Sequence, residues 1–130
     1  MKALTALVAL TLTLGACAGT QTMEPTLVDA AEAQELVASD PDVVVLDIRT
    51  PEEVAAGAID GAQVLDFYSA TFQAEIGELD RDTTYLVYCR SGNRSAQATQ
   101  LMENLGFEDV YELEGGILAW ANAGLALTGG

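Results

Sequence analysis

Two stretches of the chain are apolar without interruption, which is typical of strands buried on both faces of a parallel sheet. They are residues 43–46 (Val-Val-Val-Leu) and residues 85–88 (Tyr-Leu-Val-Tyr), and turn-forming residues precede each one. Weaker patterns predict further strands at residues 63–65 and 109–113. The pattern predicts several short strands that are separated by other elements.

Helical patterns lie between these strands. The clearest helix is predicted over residues 95–105, where apolar residues recur at three- and four-residue spacing and a glycine follows. Asp29 with Glu32, and Thr50 with Glu53, have the spacing of capping boxes and predict two helix starts. The other helices are predicted over residues 29–38, 50–56, 69–76 and 117–123. This alternation predicts an α/β fold, a parallel β-sheet with helices on both faces.

The N-terminal residues differ from the rest of the chain. Lys2 is followed by an uncharged apolar run over residues 3–14, which is too short to span a bilayer but fits a signal peptide. Residues 14–17 (Leu-Gly-Ala-Cys) resemble the lipobox of bacterial lipoproteins, whose cysteine is acylated. The alternatives are an ordinary secretory signal with an incidental cysteine, or a buried apolar helix.

The lipobox reading divides the chain into three parts. Residues 1–16 would be a signal peptide, residues 17–25 the lipidated Cys17 with its tether, and residues 26–130 a single domain. We expect the protein to be exported to the bacterial cell envelope and held to a membrane by its lipid, with the domain facing the periplasm.

Charge is strongly unbalanced in the mature chain. All 20 acidic residues follow Cys17, and the basic residues after it are four arginines, so the formal net charge is −16. Such a surface repels nucleic acid and anionic headgroups, so a nucleic-acid partner is not expected. Two of the four arginines, Arg90 and Arg94, lie within five residues of Cys89.

Cys89 lies between a predicted buried strand and the clearest predicted helix. If Cys17 carries a lipid, Cys89 has no partner for a disulfide within the chain, so it is either a buried structural residue or a reactive thiol. Gly92 and Asn93 tolerate positive φ, which lets a short loop turn its N–H groups inward. Those amides and the helix start at Ser95 would form an anion cradle that stabilises a thiolate.

The segment around Cys89 resembles the active loop of single-domain members of the rhodanese family. The loop is residues 89–95 (Cys-Arg-Ser-Gly-Asn-Arg-Ser). Residues 46–53 (Leu-Asp-Ile-Arg-Thr-Pro-Glu-Glu), residues 57–62, and residues 113–116 with the following Trp120 resemble the family's other signatures. The resemblance covers residues 26–128 and implies a rhodanese-like domain.

The resemblance also implies a reaction. Cys89 would be the catalytic residue of a sulfurtransferase: it would take the outer sulfur of thiosulfate or a related donor, hold it as a persulfide, and pass it to a thiol or cyanide acceptor. Neither a metal nor an organic cofactor is implied. The residues expected to bind the substrate are Arg90, Ser91, Gly92, Asn93, Arg94 and Ser95.

Three residues upstream are expected to support the site. Asp47 and Arg49 would form an ion-paired scaffold behind the loop or line the substrate path, and Glu53 would be a helix cap and a partner of Arg49. The chain departs from the family at Ala58, where many members have histidine, and at Val54, where many have an aromatic residue. These departures leave the substrate preference open.

Two other interpretations remain. Some phosphatases and arsenate reductases use a Cys-x5-Arg loop, but here four residues separate Cys89 from Arg94, and Ser95 holds the position of that arginine. The second alternative is a persulfide carrier, or a redox or sulfur-binding module, whose thiosulfate:cyanide activity is incidental.

Overall fold

The computed structural model describes Gly15 and residues 24–129, so the predicted signal peptide, Cys17 and most of the tether lie outside the described residues. The strands are β1 (Thr26–Val28), β2 (Val44–Asp47), β3 (Gln63–Val64), β4 (Thr84–Tyr88) and β5 (Asp109–Leu113). The helices are α1 (Ala30–Ser39), α2 (Pro51–Ala55), α3 (Phe72–Glu78), α4 (Asn93–Asn104) and α5 (Gly116–Asn122). None of the described helices has the length and apolar character needed to cross a membrane.

The five strands form one parallel sheet in the order β1-β5-β4-β2-β3. β4 lies at the centre, where Val44 of β2 pairs with Tyr85 and Glu112 of β5 pairs with Val87. The prediction of a parallel α/β fold is therefore confirmed. Because all strands run the same way, the residues that follow β2 and β4 lie at the same edge of the sheet.

Alternate residues of β4 enter two separate hydrophobic cores. Tyr85 and Val87 pack on the face covered by α3 and α4, whereas Leu86 and Tyr88 pack on the face covered by α1 and α5. This alternation is the period-two geometry of a strand. It explains why the strand sequence is apolar at every position, as the pattern of residues 85–88 predicted.

Both predicted capping boxes are present. The Asp29 carboxylate accepts a hydrogen bond from the Glu32 amide at 2.9 Å, and the Glu32 carboxylate accepts one from the Asp29 amide at 2.9 Å. Thr50 and Glu53 make the same reciprocal pair at the start of α2. These local signals place the two helix starts correctly because each is complete within four residues.

One strand and two helix starts differ most from the prediction. The short strand β1 was not predicted, α3 begins at Phe72 instead of Ser69, and α4 begins at Asn93 instead of Ser95. Ser69 lies in a turn, where its hydroxyl accepts a hydrogen bond from the Thr71 amide at 3.2 Å. Such side-chain bonds to nearby backbone compete with helix formation, which delays the start of α3.

Candidate active site

Cys89 follows the last residue of β4 and is only 1% exposed. Its sulfur accepts hydrogen bonds from the amides of Gly92 at 3.1 Å and of Ser95 at 3.4 Å. Cys89 is the free cysteine of the described residues. The predicted loop of inward-pointing amides is thus present around this sulfur.

The loop turns at Gly92, which has φ of 107° and is the residue before α4. A side chain at this left-handed conformation would be strained, so glycine lets the chain fold back over the sulfur. Asn93 has no positive φ and is the first residue of α4. The N-terminus of this twelve-residue helix therefore faces the thiol, and its partial positive charge favours an anion there.

The pKa of Cys89 is set by two opposed effects. Burial raises it, but hydrogen bonds from the Ser95 side chain, the Ser95 amide and the amides of Gly92 and Ser91 outweigh burial and lower it below its ordinary value. A lowered pKa increases the thiolate fraction, and the thiolate is the nucleophilic form of cysteine. The loop therefore activates the sulfur that it holds.

Ser95 links the thiol to Glu112, which the sequence reasoning did not single out. The Ser95 hydroxyl lies 3.4 Å from the Cys89 sulfur and 3.0 Å from Oε1 of Glu112. Burial raises the pKa of Glu112, although hydrogen bonds from Ser95 and Thr99 act in the opposite direction. The available signal was a carboxylate inside the predicted strand 109–113, where an apolar residue is more usual.

Arg94 does not point freely toward the sulfur, because its guanidinium is paired with Glu53. The pair is bidentate, with two nitrogen–oxygen distances of 2.8 Å. The hydrogen bonds from Arg94 and Thr50 overcome burial and lower the pKa of Glu53 to about 2. This corrects the predicted pairing of Glu53 with Arg49: Arg49 contacts only the backbone oxygen of Glu53, at 3.3 Å.

Asp47 and Arg49 form a buried ion pair with a nitrogen–oxygen distance of 2.7 Å, and their side chains are 0% and 4% exposed. The Tyr88 hydroxyl donates to Asp47 at 2.5 Å and accepts from the Ile59 amide at 3.1 Å. Since these groups are occupied and shielded from solvent, the structure favours a scaffold over a substrate path for Asp47 and Arg49.

Residues 113–116, the last segment that resembles the family, lead into α5, whose first turn contacts the backbone of the active loop. Gly116 begins α5 at φ of 60°, and a Cβ built there would lie 2.4 Å from the Cys89 carbonyl oxygen. The next amides, of Ile117 and Leu118, donate to the carbonyls of Cys89 and Arg90 at 2.9 and 3.2 Å. Arg90 is exposed to solvent.

The described residues hold no cluster of three or more histidine, cysteine, aspartate or glutamate side chains arranged to bind a metal ion. Their active loop holds a cysteine whose sulfur accepts hydrogen bonds from the backbone amides of Gly92 and Ser95. The fold and this loop define a parallel α/β domain with an activated cysteine at the carboxyl edge of its sheet.

Comparison with known proteins identifies the family. Residues 29–123 match the family model described as the rhodanese-like domain, so the chain belongs to the rhodanese-like domain family. It is 37% identical over 100 residues to a sulfurtransferase of Allochromatium vinosum, an alignment that covers 77% of this chain and 92% of that protein.

Two further relatives agree with this result. The chain is 43% identical over 77 residues to the thiosulfate sulfurtransferase GlpE of Pseudomonas putida, covering 59% of this chain and 68% of that one. A crystal structure of a rhodanese-related protein from Thermoplasma volcanium superposes with a TM-score of 0.70 at 31% identity, covering 79% of this chain and 97% of that one. These relatives support sulfur transfer as the general activity of the chain.

Proposed function

We propose that the protein transfers sulfane sulfur from thiosulfate or a related donor to a thiol or cyanide acceptor through a persulfide on Cys89. The observation that carries this proposal is the set of amides around the sulfur, with Gly92 at 3.1 Å and Ser95 at 3.4 Å. Amide donors that point at one sulfur atom stabilise a negative charge on it. The similarity to a protein named thiosulfate sulfurtransferase adds support for the donor.

The proposed reaction has two displacement steps. The Cys89 thiolate attacks the outer sulfur of thiosulfate, a sulfur–sulfur bond to Cys89 forms, and sulfite leaves with the electron pair of the broken bond. The acceptor then attacks the outer sulfur of the persulfide and releases the Cys89 thiolate. The loop amides stabilise the negative sulfur at both stages, in the manner of an oxyanion hole.

Arg90 is the cation that we assign to the incoming anion. Its side chain is exposed at the loop, whereas the charge of Arg94 is balanced by Glu53 at 2.8 Å. A chain with 20 acidic residues repels a dianion at long range, so a cation beside the nucleophile matters for binding. The other loop residues contribute mainly through their backbone.

The burial of Cys89 supports a second candidate, a persulfide carrier. A sulfur atom attached to a side chain that is 1% exposed is shielded from adventitious thiols and oxidants. A carrier would keep its persulfide for long periods and release it to one partner, whereas a general sulfurtransferase would give it up to cyanide or simple thiols.

Intact mass of the protein from Ala18 onward, after incubation with thiosulfate, tests both candidates. The expected result is a gain of one sulfur, about 32 Da, which cyanide removes and which Cys89→Ser lacks. A folded, reduced protein that gains no mass would refute thiosulfate as donor. A stable adduct that cyanide and small thiols leave in place would favour the carrier.

We also propose that the domain is tethered to a membrane of the bacterial envelope through a lipid on Cys17, facing the periplasm. The residue pattern at positions 14–17 supports this, and residues 24–25 would then be the end of the tether. Mass spectrometry of the N-terminus from the membrane fraction should find an acylated Cys17, and Cys17→Ser should leave the protein unlipidated. A wild-type N-terminus that begins elsewhere, without a lipid, would refute the anchor.

A further inference from the structure

Glu112 lies on β5 and contacts the first turn of α4, at the helix end of the active loop. Its Oε1 is 3.0 Å from the Ser95 hydroxyl, and its Oε2 is 3.4 Å from the Thr99 hydroxyl. Because the Ser95 oxygen is also 3.4 Å from the Cys89 sulfur, one hydroxyl connects the nucleophile with a carboxylate.

The Ser95 hydroxyl has one hydrogen for three possible acceptors. They are Oε1 of Glu112 at 3.0 Å, the Gly92 carbonyl at 3.1 Å and the Cys89 sulfur at 3.4 Å. When Glu112 is ionised, it takes this hydrogen, and the serine oxygen can only accept from the Cys89 thiol. When Glu112 is protonated, it can donate to Ser95, and the serine hydrogen is free to stabilise the Cys89 thiolate.

We propose that Glu112 is a positioning residue that shares one proton with Cys89 through Ser95. In the first form, Cys89 is a thiol and Glu112 a carboxylate; in the second, Cys89 is a thiolate and Glu112 a carboxylic acid. The conversion moves the thiol proton to the Ser95 oxygen and the Ser95 proton to Oε1 of Glu112, so no charge enters or leaves the pair.

The role of the shared proton in catalysis rests on the sulfur-transfer function proposed above. The sharing of the proton itself does not depend on that function. The nucleophile is generated when Glu112 takes the proton, and the sulfur–sulfur bond then forms as sulfite departs. When the acceptor removes the outer sulfur, the Cys89 thiolate can recover the proton from Glu112. The site therefore needs no histidine, and the chain contains none.

The surroundings of Glu112 favour its protonated form. It borders a cleft open to solvent that Glu24, before β1, and Glu103, on α4, also line. Among the described residues these two carboxylates are the other charged groups that line the cleft, so no positive side chain there stabilises the ionised form of Glu112. The half-buried position of Glu112 acts in the same direction, since burial raises its pKa.

Titration of the Cys89 thiolate by its ultraviolet absorbance, with the signal of Cys89→Ser subtracted to remove other chromophores such as Cys17, tests the shared proton. A coupled pair loses its two protons in steps that belong to both groups, so the wild-type thiolate signal should rise in two phases. Glu112→Gln removes the second site, and its thiolate should titrate in one phase. Glu103→Gln, which removes one charge from the same cleft without touching Ser95, should keep both phases.

A single-phase titration of the wild type would overturn the proposal, and so would equal effects of Glu112→Gln and Glu103→Gln. If Glu112→Gln does not fold, the wild-type protein still decides: the side-chain carboxyl resonance of Glu112 must titrate with the same two apparent pKa values as the thiolate. A single step in that resonance would contradict the proposal. Neither measurement needs a sulfur donor, so failure here is distinguishable from failure of the proposed sulfur transfer.

Discussion

The guanidinium of Arg94 and the carboxylate of Glu53 face each other as a bidentate pair across 41 positions of sequence, with both nitrogen–oxygen distances at 2.8 Å. The pair joins the start of α2 to the first turn of α4. It therefore fixes the active loop, which ends at α4, against the segment that follows β2. Its contribution to stability depends on the ionisation of Glu53.

Glu53→Gln should lower the free energy of unfolding by about 1 to 2 kcal/mol at neutral pH, because a partly buried charge-assisted pair is lost. The folded pKa of Glu53 is depressed to about 2 from 4.5. The stabilisation is therefore fully present above pH 4.5 and is lost as the pH falls from 4.5 toward 2. Chemical denaturation across this range measures the effect.

The matched control is Glu52→Gln, which removes an exposed carboxylate from the same turn of α2. Between pH 4.5 and 2, Glu52→Gln should lose almost as much unfolding free energy as the wild type, whereas Glu53→Gln should lose less. Equal acid dependence in all three proteins would mean that the pair contributes nothing to folding.

Arg90→Met should raise the KM for thiosulfate about tenfold while changing kcat little, because a single contact between a cation and an anion is worth roughly 1.5 kcal/mol. Arg90→Lys keeps the charge and should recover most of the affinity. Steady-state kinetics at several salt concentrations measures both variants. If kcat falls and KM is unchanged, Arg90 acts in the transition state and not in substrate binding.

Tyr88→Phe should reduce the free energy of unfolding by about 1 to 3 kcal/mol, because it removes two buried hydrogen bonds and leaves the Ile59 amide without its acceptor. The lost contacts are the 2.5 Å bond to Asp47 and the 3.1 Å bond from the Ile59 amide. Tyr111→Phe is the control, since its hydroxyl has no hydrogen-bond partner among the described residues and it lies on the neighbouring strand. A similar small loss in both variants would show that the buried network adds no stability.

Gly116→Ala should destabilise the protein by more than about 3 kcal/mol or displace the active loop, because both backbone sterics and conformation oppose a side chain there. The added Cβ would be 2.4 Å from the Cys89 oxygen and 2.6 Å from the Arg90 carbonyl carbon, at φ of 60°. Thermal unfolding and the rate of Cys89 alkylation report the two effects.

Gly77→Ala is the contrasting substitution. Gly77 lies in α3 and a Cβ built there meets nothing within 4 Å, so alanine should raise stability by about 0.5 to 1 kcal/mol. If Gly116→Ala behaves like Gly77→Ala, the close approach of α5 to the loop imposes no constraint.

Local signals predicted much of the fold, because several elements are specified by neighbouring residues. The Asp29–Glu32 and Thr50–Glu53 boxes each lie within four residues, and the apolar run of β4 reports burial directly. Strand β1 was not predicted because a strand of three residues shows almost no hydrophobic periodicity. It forms its hydrogen bonds with β5. An edge strand of this length is defined by its partner.

The site was predictable only where its residues are close in the sequence. The sequence of residues 89–95 predicted a turn at a glycine and a helix N-terminus beside Cys89, and both are present. The partner of Glu53 is 41 positions away, and Glu112 reaches Ser95 across 17 positions. Such pairs depend on the order of the strands in the sheet, because this order decides which distant side chains come into contact. Capping patterns and hydrophobic periodicity are local and do not reveal them.

The hydrogen bonds from Ile117 and Leu118 to the carbonyls of Cys89 and Arg90 have a consequence for the newly made chain. β4 also needs β5 as its neighbour, so residues 109–118 must leave the ribosome before the loop can close. Cys89 precedes β5 by about twenty residues, so it is synthesised well before the strand and the helix start that hold its loop in place. A chain that stops before residue 117 therefore lacks both of these hydrogen bonds to the backbone of the active loop.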